Sequence, residues 1–371
     1  MSPIADLLPT GIRACGCLTP FGGAEATVAA LLDGRRALQL RPVLGPDGGD
    51  CVPIALMDSK DMAETLPPRW LPALRTLAGA IPPGTWGSTR HPVVVTSSNF
   101  GVGSLYAYLG SRDAGHLRHG APFACVELLQ DEFGWGEQVH VFSHACVSAH
   151  IGLMHATRLL QAEIADSVLV FSFDFVSPFV AGGFHSLKIL NSELPAPYAA
   201  RATGSIGLGD GAAFAVLTCE PTPFRIEAQA LHNEMHHFTG NRADGSGFAA
   251  CAETIAAAAG GRRVWVKGHG TGTLEAGRLE AETYARVLPG APLVSWKGSL
   301  GHTLGSCGLV ELALTVESMR LGRAPGTIGS TAPCFTETVA LTPFATAGYA
   351  GVVVASNAFG GAHAALLLSH A

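Results

Sequence analysis

Val139-His140-Val141-Phe142-Ser143-His144-Ala145-Cys146-Val147-Ser148-Ala149-His150-Ile151-Gly152-Leu153 is the stretch on which the reading of this chain turns. It opens with alternating β-branched and aromatic residues that suit a short buried strand. After Ser143-His144-Ala145-Cys146 the pattern changes to Ala149, Leu153, Ala156 and Leu160, an apolar stripe at helical spacing. A cysteine at such a junction lies beside the unpaired N–H groups of a helix start. The positive end of the helix favours the thiolate, so a lowered pKa and a nucleophilic sulfur are expected. The competing reading is a packing cysteine, because free Cys is among the most buried residue types.

Moving outward, further segments join glycine to reactive side chains. Gly268-His269-Gly270-Thr271-Gly272-Thr273 follows the apolar run Val264-Trp265-Val266, and Lys297-Gly298-Ser299-Leu300-Gly301-His302 follows Leu293–Trp296. Ser356-Asn357-Ala358-Phe359-Gly360-Gly361 follows Val352–Ala355. With Cys146 these make four segments at the C-terminal ends of predicted strands, where open α/β sheets place their active sites. A cysteine with two histidines suits nucleophilic catalysis with imidazole support.

The remaining sequence alternates strands and helices in two series. The first runs from Ile12 to Thr218, with an irregular Pro/Gly-rich excursion over Arg41 to Arg90 and a helical patch near Leu71–Ala80. The second runs from Phe224 to Ser369. Gly209–Thr218 and Gly360–Ser369 resemble each other and close their series, which predicts an internal duplication meeting near Glu220–Phe224 and an α/β fold with largely buried sheets.

Composition bounds the function. The 371 residues carry a formal net charge of −6, which gives no reason to expect nucleic-acid binding. Nine cysteines without framework spacing argue for reduced thiols. Cys15, Cys125, Cys219, Cys251 and Cys307 read as packing residues. The start, Met1 to Asp6, has no basic region followed by an apolar one, so no signal peptide is expected, and no run suits a membrane span. A cytoplasmic protein is expected. His232, His236 and His237 lack the His-Glu-x-x-His pattern and read as a solvated loop; no metal is expected. Neither a dinucleotide fingerprint nor a serine-hydrolase elbow is present.

Taken together, the motifs resemble those of the β-ketoacyl-[acyl carrier protein] synthases of the thiolase superfamily, of the elongating Cys-His-His type. The resemblance runs from Cys17–Gly22 through Ser143–Ser148, Ser177–Phe184, Pro197–Gly211, His269–Glu280 and Lys297–Glu311 to Phe359–Gly361. It implies a duplicated thiolase-like fold, layered α-β-α-β-α with two mixed sheets. The half carrying the nucleophile would span residues 1–221, and the half carrying both histidines and the glycine loop 222–371.

By that resemblance Cys146 would accept an acyl group, and the backbone N–H groups of Cys146 and Phe359 would form the oxyanion hole. His269 and His302 would stabilise the enolate formed as a malonyl unit loses carbon dioxide. Lys297 would pair with Glu311, Glu280 would play a supporting part, Thr271 and Thr273 would hold a phosphopantetheine arm, and Phe359 would gate the acyl pocket. The implied partners are an acyl carrier protein and a second subunit, either a copy or a homologous ketosynthase or chain-length factor. No cofactor is implied beyond the carrier's phosphopantetheine. Other readings are a non-catalytic chain-length-factor-like subunit and a ketosynthase-like acyltransferase. The chain departs from the family pattern at His144, where Thr is usual, and at Gly277, where an acid is expected although Glu280 follows. Asn357-Ala358 replaces Phe-Gly before Phe359, and His363 stands where Asn is common.

Overall fold

In the computed structural model, described over residues 9–43, 49–57, 61–237 and 239–370, two series of five strands are wound alike. The first comprises β1 (Thr10–Thr19), β2 (Val93–Thr96), β3 (Val139–Phe142), β4 (Ser167–Asp174) and β5 (Gly211–Thr218). The second comprises β6 (Phe224–Asn233), β7 (Val264–Lys267), β8 (Leu293–Val294), β9 (Gly351–Ala358) and β10 (Ala362–His370). Their spatial orders are β3-β2-β4-β5-β1 and β8-β7-β9-β10-β6, the same path twice. In each, the first two pairings are parallel and the remaining two antiparallel. The expected two sheets share one seam: Thr10 pairs with Ile226 and Gly11 with Arg225, joining them edge to edge.

Side-chain alternation builds the layers. Val94, Val170, Ala213, Ala215 and Leu217 point into a central core with Val352, Val354, Leu366 and Leu368 from the other series. Their strand neighbours Val93, Val95, Leu169 and Phe171 face an outer cluster with helices α1 (Leu71–Ala78) and α2 (Pro122–Phe133). Between the sheets lie α3 (Ser148–Gln161) and, after the outer helices α4 (Ser246–Ala259) and α5 (Leu274–Val287), helix α6 (Cys307–Arg320). Helix α6 is apolar nearly all round and buried over Cys307–Val316, as a helix between two sheets must be. The order is therefore α-β-α-β-α. Helices α3 and α6 meet closely: a Cβ on Gly308 would lie 2.4 Å from His150 Nδ1 and 3.4 Å from Ala149 Cβ.

Several sequence expectations need correction. Strand β3 is not buried; all four residues are half-buried because β3 is the outer edge of the sheet. Helix α2 goes unread in the sequence, its stripe being interrupted by Glu127 and Gln130. The Arg41–Arg90 excursion carries a strand, Cys51–Ala55, paired with Gln39–Pro42. Strand β8 ends at Val294 rather than Trp296, since Lys297–Leu300 already turn as a short helix. Residues 356–358 continue β9, leaving only Phe359-Gly360-Gly361 as the turn to β10. Cys219 is exposed rather than packed. The Met1–Asp6 segment and residues 44–48 and 58–60 of the excursion lie outside the described residues.

Candidate active site

The β3–α3 junction is a tight elbow. Ser143 and His144 are exposed, Ala145 adopts φ 45° and Cys146 turns inward to become buried. A left-handed alanine is unfavourable in isolation and needs support from its surroundings. Ser148 supplies it: its Oγ accepts from the His144 N–H at 2.8 Å and donates to the Ala145 carbonyl at 2.7 Å. The His144 side chain takes no part in lining the cavity described below.

The equivalent junction of the second series, between β8 and α6, carries His302. Gly301, at φ 74°, turns the chain, and the His302 N–H donates to the Gly207 carbonyl at 2.7 Å. His302 Nε2 then lies 2.9 Å from Cys146 Sγ. His269 follows β7, and its ring stands edge-on to that of His302 at 4.9 Å between centroids. Glu280 holds the His269 turn, accepting from the N–H groups of His269 at 2.7 Å and Gly270 at 2.9 Å and from Tyr198 Oη at 2.9 Å. Gly277 and Glu280 lie three residues apart on α5, on one helix face, so the carboxylate reaches this turn from almost one turn further along.

Burial dominates the electrostatics. It pushes the Cys146 thiol up, with the nearby Cys307 thiol adding to the effect and Lys297 only partly opposing it. The expectation of a lowered thiol pKa is thereby reversed, because the sulfur is desolvated and α3 begins two residues later. Burial, reinforced by Lys297, holds His269 and His302 well below the usual histidine range. Neutral imidazole beside a protonated thiol is the resting state, and the short Cys146–His302 contact gives the proton a path.

Behind the histidines, Lys297 Nζ pairs with Glu311 Oε1 at 2.5 Å, and a second buried lysine, Lys267, reaches the same oxygen at 2.9 Å. Burial works against the Lys297 ammonium, but Glu311 lifts it above its ordinary value. Lys267 escaped the sequence reading because a lysine at the end of an apolar strand looks like a solvated boundary.

Cys146, His269, His302, Thr271, Thr273 and Phe359 all line one cavity of about 380 Å³. Phe184, whose ring stacks on Phe359 at 5.8 Å between centroids, and Thr239–Asn241 line it too. Lys297, Glu311 and Glu280 stand behind this wall. The departures Asn357 and His363 form one network: His363 bridges Asn357 Oδ1 at 2.8 Å and Glu234 Oε1 at 2.9 Å, and Asn357 Nδ2 donates to Glu280 at 3.1 Å. One donor atom each of Cys146, His269 and His302 lies within 4.8 Å of the others, the spacing a metal ion could bridge; among the described residues His232, His236 and His237 form no such group.

A strand-elbow cysteine thus faces two imidazoles across a twice-wound α/β fold. Residues 224–331 match the β-ketoacyl synthase C-terminal domain family. The chain is 27% identical over 205 residues to 3-oxoacyl-[acyl-carrier-protein] synthase 2 of Coxiella burnetii, an overlap of 50% of this chain and 50% of that protein. It is 28% identical over 221 residues to the tetracenomycin polyketide synthase ketoacyl synthase alpha subunit of Streptomyces glaucescens, covering 53% and 51%. The chain thus spans about half the length of the curated relatives it matches.

The fold is that of a ketosynthase solved with its chain length factor from Xenorhabdus doucetiae, with TM-score 0.78, 20% identity and 98% of each chain covered. It also overlays a complex of a type II polyketide acyl-carrier protein with its ketosynthase, at TM-score 0.85 and 15% identity over 99% of this chain and 100% of that one. These likenesses, over residues 224–331 and over about half of each curated relative, are to β-ketoacyl synthases.

Proposed function

We propose that this protein is a β-ketoacyl-[acyl carrier protein] synthase that joins an acyl thioester to a malonyl unit by decarboxylative Claisen condensation. The observation that carries this reading is His302 Nε2 at 2.9 Å from Cys146 Sγ, with His269 in the same cavity. In the first half-reaction His302 takes the Cys146 proton and the sulfur attacks the acyl thioester carbonyl. Backbone N–H groups of Cys146 and Phe359 hold the oxyanion, and the tetrahedral intermediate expels the carrier thiol, which receives the proton from His302. Pre-aimed donors of this kind are worth on the order of 3 kcal/mol each.

In the second half-reaction malonyl thioester enters along Thr271 and Thr273. The acylated sulfur no longer donates to His302, so both neutral imidazoles are available to the thioester carbonyl. Loss of carbon dioxide leaves an enolate stabilised by His269 and His302. Its carbon attacks the acyl-Cys146 carbonyl, and the Cys146 thiolate leaves and takes up a proton from solvent. The substrates ride on an acyl carrier protein, and the protein needs no cofactor of its own.

The half-buried edge strand β3 beside Cys146 supports a dimer with a copy or a homologous subunit. We read the chain as two copies of one unit, residues 1–221 and 222–371. Among the described residues no helix is long and apolar enough to cross a membrane, and we assign the protein to the cytoplasm.

Incubation with acyl- and malonyl-carrier protein tests the reading, with intact mass reporting acylation and extraction reporting product. Acylated Cys146 and a β-ketoacyl product are expected. No adduct on the native protein points instead to a non-catalytic subunit, and an adduct without decarboxylation points to acyl transfer alone.

A further inference from the structure

Lys267 is the last residue of β7, two residues before His269, and its side chain is completely buried. Its Nζ donates to the Gly268 carbonyl at 2.6 Å and lies 2.9 Å from Glu311 Oε1, with the Trp296 ring at 5.4 Å. The same Glu311 oxygen serves Lys297, while Glu311 Oε2 has no partner among the described residues. Two ammonium groups and one carboxylate leave the cluster cationic. A buried net charge is costly to maintain, and one set against a reactive site has an evident use for any anion formed there.

We propose that Lys267 is a positioning residue, anchoring the His269 turn through Gly268 and giving the Glu311 cluster its net positive charge beneath the Cys146–His269–His302 cavity. The anions in question, thiolate and enolate, are those of the condensing reading; the anchoring and the charge stand apart from it. The ionisable groups that face Lys267 are Glu311, Lys297 and Cys307, and those that feel its charge include His150, His269 and His302. Burial draws Lys267 down to about 8, with Glu311 opposing the shift, so it is largely protonated at neutral pH. For both active-site imidazoles burial is the larger influence, and Lys297 and Lys267 act in the same direction.

Lys267→Gln separates the two roles, since glutamine can still donate to Gly268 but carries no charge. Ring-labelled histidine NMR on the substrate-free protein reads the result whether or not the protein condenses anything. The titration midpoints of both His269 and His302 are expected to rise by roughly half to one pH unit. Unchanged midpoints in a variant with native circular dichroism overturn the proposal. If Lys267→Gln does not fold, ¹³Cε spectra of lysine-labelled native protein decide: two buried charged lysines at neutral pH support it, and a neutral Lys267 overturns it.

Discussion

The β3–α3 junction and the β8–α6 junction occupy the same place in the two strand series, yet they are built differently. The first lies at a sheet edge, with β3 half-buried and Ser143 and His144 exposed, and delivers Cys146 through a left-handed alanine. The second is buried throughout from Leu293 to Val316, and delivers His302 above a lysine–glutamate pair. One scaffold position thus carries a cysteine in one copy and, 2.9 Å from its sulfur, a histidine in the other. Under the proposed function, the lesson is that the thiol is activated across the two strand series, by an imidazole, rather than within its own series by a helix start.

That contrast can be broken from either side. Cys146→Ala should have the largest effect, abolishing the acyl adduct seen by intact mass. His302→Ala should slow acylation of Cys146 by roughly 10²- to 10⁴-fold, the range for removing a general base; an unchanged rate would mean that the helix start alone activates the sulfur. Glu311→Ala leaves two buried ammonium groups unpaired and should cost about 3–5 kcal/mol in urea unfolding.

Acidification should act through the imidazoles. His269, His302 and His150 are held neutral by burial in the folded protein, His150 at about 4, and regain an ordinary value near 6.5 on unfolding. The unfolded chain therefore binds more protons as pH falls below that value, and each group removes up to about 1.4 kcal/mol of stability per pH unit. Urea melts at neutral and mildly acidic pH should show the loss. At the small end, Cys219→Ser, at an exposed cysteine, should change stability by less than about 0.5 kcal/mol.

The sequence revealed the four strand-end segments and the repeated winding, because strand periodicity and glycine placement are local signals. It did not reveal what burial does to them. Cys146 looks activated in sequence because helix polarity is local, whereas the desolvation that opposes it comes from residues of both halves, Cys307 among them. Lys267 meets Glu311 only in the folded chain, 44 positions away, so charge patterning could not pair them. Asn357 and His363 look like isolated departures until β9 and β10 set them side by side, against Glu280 and Glu234.

Gly308 of α6 lies against α3, with His150 Nδ1 2.4 Å from where a methyl group would sit and Ala149 Cβ at 3.4 Å. The sulfur and the imidazole hang from the leading ends of these two helices, so the hydrogen as the smallest of side chains acts there as a shim. The working gap between Cys146 and His302 is machined at a contact that touches neither. Thickening that shim by one carbon would spread the helices without changing any reactive residue, turning an intact inventory of residues into one that no longer meets.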